Sequence, residues 1–316
     1  MLEDIELPRD EVVKIALIDK GVDTEDPDVR AIERGQSFHR DSRESTDGAA
    51  WDPEFLEWNS RPPIHWIHMA ICIQKICPMA KLYVARMDDS DPESQEFTLD
   101  LQSRYAVKWA REMGVHIISM SSSFKAKTGG FRNEELNDFR TAISSVKGDN
   151  ILLFASLNDS PNISPDDYYP CGLADVFKIG SETKWGDKAA NSLIGADFIL
   201  PGDNIGVGGM HKISGSSIAT AFAVGLAGLM LFTLAAYRDP KYSEYQDNDD
   251  TKRDELLKNA RIKEGMNKIF NILSGNRQGI KNPDLWLSLD DKFPDEVDKT
   301  DPGPYVRDFV RGIFPM

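Results

Sequence analysis

The sequence predicts a three-layer α/β fold, a central parallel sheet with helices on both faces. Three observations predict it. Short β-branched runs alternate along the chain with helical patterns of roughly 10–15 residues, the signature of parallel strands joined by helical crossovers. One stretch, residues 218–237 (IATAFAVGLAGLMLFTLAAY), is 20 residues long without a charge and reads as a helix in the middle of a core. With 316 residues and 41% hydrophobic composition, there is enough apolar material for one large core, and global disorder is excluded.

The elements follow in order. Residues 14–18 (KIALI) form a buried strand that ends in the turn Asp19-Lys20-Gly21. Residues 22–63 are polar, with few periodic apolar positions, and read as long surface loops. Pro62 and Pro63 precede a helix over 65–77, with Ile67, Ile71, Cys72 and Ile76 on one face and Pro78 as its stop. Residues 81–87 (KLYVARM) alternate as a strand. A helix over 99–113, a break at Gly114, a strand over 116–120, a helix over 134–146 and strands over 151–155, 176–181 and 197–200 complete the pattern.

The run 218–237 has the length of a membrane span. Its small residues, with Gly225 and Gly228, suit close packing inside protein, and it is assigned to the core. Beyond Arg238 come a charged linker, an amphipathic helix over 256–273, and a tail to Met316 that wraps the domain or leads to a neighbour. The expected division is therefore a main domain over 1–240 and an accessory segment over 241–316.

Thirty-seven Lys and Arg against 52 Asp and Glu leave a net charge of −15, which disfavours nucleic acid and anionic membranes as partners. Three cysteines, Cys72, Cys77 and Cys171, lack C-x-x-C spacing, so neither a disulfide framework nor a zinc site is indicated and a reducing compartment is expected. The N-terminus carries no secretory signal pattern, which makes an intracellular location the expectation. A nucleotide-binding protein would need a phosphate loop, and neither G-x-G-x-x-G nor G-x-x-x-x-G-K-S/T occurs.

Parallel sheets place their chemistry at the carboxyl ends of their strands. Asp19 and Asn158 both sit just past a predicted strand. Four local sequences then line up: IALIDKGVD (15–23), IHWIHMA (64–70), LFASLN (153–158, within ILLFASLN) and SGSSIAT (214–220). Their order, Asp then His then Asn then Ser, resembles the subtilisin-like serine peptidases, and the resemblance runs from about residue 13 to 237. The intervening ICPMAKLYVARM, GVHIISMS, ADVFKIGSET and ADFILPGDNI resemble that family's strands and loops as well. The expected fold is accordingly the three-layer subtilisin-like one, similar to subtilase domains of large intracellular fungal proteins.

A serine hydroxyl is a weak nucleophile at neutral pH and needs an imidazole within reach to take its proton, while a buried carboxylate fixes the imidazole tautomer. The resemblance implies Ser217 as nucleophile, His65 as base and Asp19 as orienting carboxylate. Asn158, with the backbone N–H of Ser217, would bind the oxyanion. It also implies that Ser121, Ser122, Ser123, Ser156 and Leu157 line the site of an extended polypeptide substrate. No cofactor is expected; such peptidases often hold structural calcium, and the acidic stretches between Asp23 and Glu57 carry suitable oxygens without defining a ligand set. His68 is read as a structural hydrogen-bonder, because His65-x-x-His68 lacks the i, i+4 spacing of a zinc helix.

Five positions depart from the family pattern, the mildest being Ser216 in place of the usual Thr. Lys20 stands where a small hydroxyl residue is usual, Trp66 lies in the first turn of the His65 helix, and Ser123 and Leu157 replace glycines of the substrate pocket. Trp66 must point away from Ser217 for a triad to close. These departures keep a second expectation open, an inactive pseudopeptidase that serves as a peptide-binding or regulatory module. With only 18 residues before Asp19, the family's folding-assisting pro-segment is not expected in this chain, which either folds unaided or belongs to a larger protein.

Overall fold

The computed structural model describes residues 5–8, 11–38, 64–87, 95–125, 133–159, 164–182, 195–206, 212–239, 242, 250–277, 280–283, 306 and 309–311, with backbone alone at 64–66, 95–101, 125, 133–135, 250, 275–277 and 280–283. The elements in chain order are β1 (Lys14–Asp19), β2 (Ile32–Phe38), α1 (Ile64–Ile76), β3 (Lys81–Met87), α2 (Gln95–Glu112), β4 (Ile117–Met120), β5 (Phe124–Lys125), α3 (Asn133–Gly148) and β6 (Leu152–Ser156). A 3₁₀ turn (Pro165–Asp167), β7 (Tyr168–Tyr169), β8 (Phe177–Glu182), β9 (Phe198–Pro201), α4 (Ser216–Arg238), α5 (Asp250–Ala260), α6 (Lys263–Leu273), β10 (Ser274–Arg277) and β11 (Ile280–Pro283) follow.

Seven strands form one sheet in the order β2-β3-β1-β4-β6-β8-β9, and every pairing in it is parallel. Side chains on a strand alternate between faces, and β1 sorts accordingly. Ile15 and Leu17 join the core cluster that holds α1, α4, α5 and α6, whereas Ala16 and Ile18 join the cluster with α2 and α3. Leu82 and Val84 of β3 face the first layer, and Tyr83, Ala85 and Met87 face the second. This is the three-layer architecture expected, with a core on each face of the sheet.

Helix α4 is the centre of the first layer. It is the one helix among the described residues long and apolar enough to cross a membrane, yet 89% of its most apolar window is buried inside the protein. Two glycines let α1 lie close against it: a Cβ on Gly225 would stand 2.9 Å from Ile76 Cβ, and one on Gly228 would stand 3.3 Å from Cys77 Sγ.

Three expectations are corrected. Residues 22–63 are not all loop, because β2 forms the edge of the sheet beside β3. Its sequence, IERGQSF, shows only Ser37 and Phe38 buried, so the alternation that identifies inner strands is missing. The helix expected over 256–273 is two helices, broken at residues 261–262, and α5 starts at Asp250, inside the stretch read as linker. The break brings the Asn259 carbonyl oxygen to 1.8 Å from where a Cβ on Gly265 would lie, an approach open to glycine alone. Leu257, Ala260, Met266, Ile269, Phe270 and Leu273 from these helices, together with Val306, Phe309 and Val310, are buried in the same core cluster as α4.

Candidate active site

Strand register determines which residues meet at the carboxyl edge of the sheet. Ile18 of β1 pairs with Met120 of β4, and Met120 pairs with Ala155 of β6. The next residues, Asp19, Ser121 and Ser156, therefore emerge side by side at one end of three adjacent strands. Asp19 continues the odd-numbered face of β1, the face of Ile15 and Leu17, which is covered by α1 and α4. Its carboxyl group is fully buried, and Oδ1 accepts the backbone N–H of Lys20 at 2.9 Å.

The ends of β4 and β6 are stitched together. Ser156 Oγ donates to the Ser121 carbonyl at 2.9 Å, and Cys171 Sγ donates to the Ser156 carbonyl at 3.1 Å. Burial pushes the Cys171 thiol up to about 12, so it stays neutral and acts here only as a hydrogen-bond donor. Ser121, Ser122 and Ser123 are half-buried beyond β4. Leu157 N–H donates to the Ile179 carbonyl at 2.9 Å, and its side chain is buried in the α2/α3 core cluster beside Tyr169 and Cys171.

The start of α4 is anchored over this edge from two directions. Gly215 N–H donates to the Gly202 carbonyl at 2.7 Å, just beyond β9. Gly202 has no room for a side chain, since a Cβ there would stand 2.6 Å from Ser181 Cβ and 2.8 Å from the Gly215 carbonyl. From the β6 side, Ser216 Oγ donates to the Leu157 carbonyl and Ser216 N–H donates to Asp159 Oδ2 at 3.0 Å. Thr220 Oγ1 donates back to the Ser216 carbonyl at 2.8 Å, closing the first turn. Gly215, with φ 145°, adopts a backbone that favours glycine and offers no side chain to cap the helix.

Asn158 lies between Leu157 and Asp159, and Ser217 directly follows Ser216, so the segments carrying both are bonded to each other. Both residues are half-buried. His65 is the second residue of α1, the helix that packs against α4; the side chains of His65 and Trp66, and with them the expected direction of the indole, lie outside the described residues. His68, one turn on, is fully buried. Among the described residues no three His, Cys, Asp or Glu gather as a metal site, and residues 39–57 of the acidic stretch lie outside the described residues. Sequence reasoning missed Asp159 and Gly202, and it read Ser216 only as a mild departure from the family's usual Thr. The adjacency of Asp159 to Asn158 is the one signal that pointed to Asp159.

The fold is shared with known peptidases. A point mutant of the protease domain of PatA superposes with TM-score 0.57 at 15% identity over 88% of this chain and 92% of that one. The nisin leader peptidase NisP from Lactococcus lactis superposes with TM-score 0.56 at 13% identity over 89% and 88%. In sequence, the subtilisin-like protease het-Q2 of Podospora anserina is 30% identical over 185 residues, 53% of this chain and 48% of that protein. An intracellular serine protease of Paenibacillus polymyxa is 26% identical over 238 residues, 69% of this chain and 66% of that one. The chain thus spans less than half the length of the first relative and about two thirds of the second. With the Subtilase family model matching residues 10–275, most of its length and all four motifs, this chain belongs to the subtilase family.

Proposed function

We propose that this chain is a serine endopeptidase in which Ser217 Oγ attacks the carbonyl carbon of a polypeptide substrate. His65 takes the hydroxyl proton as the C–O bond forms, and Asp19 holds the imidazole and stabilises its cation. The developing oxyanion accepts hydrogen bonds from the Asn158 side-chain amide and the Ser217 backbone N–H. His65 then returns the proton to the leaving amine, the acyl group remains on Ser217, and water releases it by the same route. An extended peptide would lie along Ser121, Ser122 and Ser123 as an added strand, with Ser156 and Leu157 behind it.

The observation that supports this reading best is the bonding of the Asn158 segment to the Ser217 segment through Ser216, over a carboxyl edge where a buried Asp19 faces the layer of α1 and α4. The same reading assigns the chemistry to residues 1–240, with 241–316 as an accessory segment. An intracellular site of action agrees with three buried free cysteines and with the name of the Paenibacillus relative.

Labelling of the full chain with a fluorophosphonate probe tests the proposal without a known substrate. The parent should react, Ser217→Ala should not, and Asp19→Asn should react far more slowly. A folded parent that stays unlabelled would overturn it.

A further inference from the structure

We infer that Asp159 is the positioning residue that holds the nucleophile against the oxyanion donor; the inference rests on the reading of Ser217 and Asn158 given above. The first N–H groups of a helix have no partner within it, and a side chain at the N-cap usually satisfies one. In α4 the N-cap is Gly215, which has no side chain to do so. The Ser216 N–H is instead taken at 3.0 Å by Asp159 Oδ2, a residue 57 positions earlier.

This bond is one of a pair. Ser216 also donates its hydroxyl to the Leu157 carbonyl, so a single residue is tied to both neighbours of Asn158. One bond would let the 157–159 segment pivot about α4, whereas two on either side of Asn158 also fix its direction. Since Ser217 follows Ser216 within the helix, fixing Ser216 sets where the Ser217 hydroxyl and N–H stand relative to the Asn158 amide. Gly202 braces the opposite side through Gly215, so Asp159 is the half of the mounting that belongs to the oxyanion segment.

The clamp needs an acceptor oxygen, not a charge. A full carboxylate charge beside the oxyanion site opposes the negative charge that develops there. Asparagine keeps an acceptor at the same place and removes that opposition, while alanine removes the clamp.

The test compares Asp159→Ala with Asp159→Asn in the full chain, by turnover of a peptide substrate, by fluorophosphonate labelling and by hydrogen exchange over residues 215–219. Asp159→Ala should lower kcat by about 10- to 100-fold, the scale of a 1 Å misplacement, with KM changed by less than ~3-fold. Its amides over 215–219 should exchange at least ~10-fold faster. Asp159→Asn should match the parent in exchange and equal or exceed it in kcat. The inference is overturned if Asp159→Ala keeps parental kcat, or if Asp159→Asn loses as much as alanine does. Should the parent prove inert, the peptidase reading fails by itself; the exchange comparison then decides the clamp, which is refuted by parental exchange in Asp159→Ala.

Discussion

Gly225→Ala tests how closely α1 must lie against α4. An added Cβ would stand 2.9 Å from Ile76 Cβ and 3.3 Å from both the Ile73 carbonyl oxygen and Ile76 Cδ1. Carbon atoms in contact prefer about 3.5–4.0 Å, so the helices must separate by roughly 0.5–1 Å at this point. Ile76 Cβ is attached directly to the α1 backbone and cannot rotate aside. Overpacking of this kind costs about 1–3 kcal/mol, while replacing glycine by alanine within a helix returns about 1 kcal/mol of propensity. The balance is a loss of about 1 kcal/mol and at most ~2. Gly228→Ala is the internal control, because the three atoms nearest its Cβ would all be side-chain atoms, the Ile15 Cδ1 methyl at 2.9 Å, Cys77 Sγ at 3.3 Å and Cys77 Cβ at 3.5 Å, whereas Gly225 also faces a backbone carbonyl. There the propensity gain should prevail, leaving stability within ~0.5 kcal/mol of the parent or slightly above it. Urea unfolding reads both variants as midpoint shifts at unchanged slope. Because the displaced α1 also carries His65, Gly225→Ala should slow fluorophosphonate labelling by about 10-fold, with Gly228→Ala unaffected. The packing argument is refuted if Gly225→Ala is as stable as the parent, or if Gly228→Ala loses more than it does.

Three further outcomes are expected. His116 is held neutral, its pKa lowered to about 4 from 6.5 by burial and by the nearby Arg261 and Lys14, and its Nδ1 accepts the Lys14 N–H at 3.0 Å. Above pH 6.5 neither folded nor unfolded chain protonates it; between 6.5 and 4 only the unfolded chain does, so stability falls as pH drops through that window, by on the order of 3 kcal/mol in all. His116→Asn, which keeps an acceptor near the same place, should flatten this part of the pH–stability curve, and an unchanged slope would refute the assignment. Asn158→Ala should cost roughly 10²–10³ in kcat with little change in KM, the scale of losing one oxyanion donor, and a variant that loses KM alone would move Asn158 to substrate binding. Leu157→Ala, which would widen the expected substrate pocket, should destabilise the chain by about 2–4 kcal/mol because the side chain is core; a urea midpoint equal to the parent's would show that it is not.

The inner strands and the long helix were legible because each has a local record. KIALI and KLYVARM match β1 and β3 closely, and the uncharged run 218–237 lies inside α4. Four motifs in order were enough to name Asp19, His65, Asn158 and Ser217 as candidates, since each sits at the end of a recognisable element. Strand β2 escaped because an edge strand whose first five residues are at most half-covered carries no alternation to read. The α5/α6 break escaped for another reason: apolar residues lie on both sides of residues 261–262 with no proline to part them, and what marks the break is the close approach of the Asn259 carbonyl to Gly265, a contact within the folded chain.

The sequence by itself determined the layer order, the burial of α4 and the identity of the chemical groups, because periodicity, charge and residue type act over a few neighbouring positions. It could not determine which neighbours those groups would have. That Leu157 is buried in the α2/α3 core, that Asp19 faces the α1/α4 layer, and that Asp159 meets the start of a helix 57 residues later were decided by strand register and helix packing. Such contacts join segments far apart in the chain, and they form only when the sheet has set which strand ends lie side by side and a glycine leaves a helix start open for a distant acceptor.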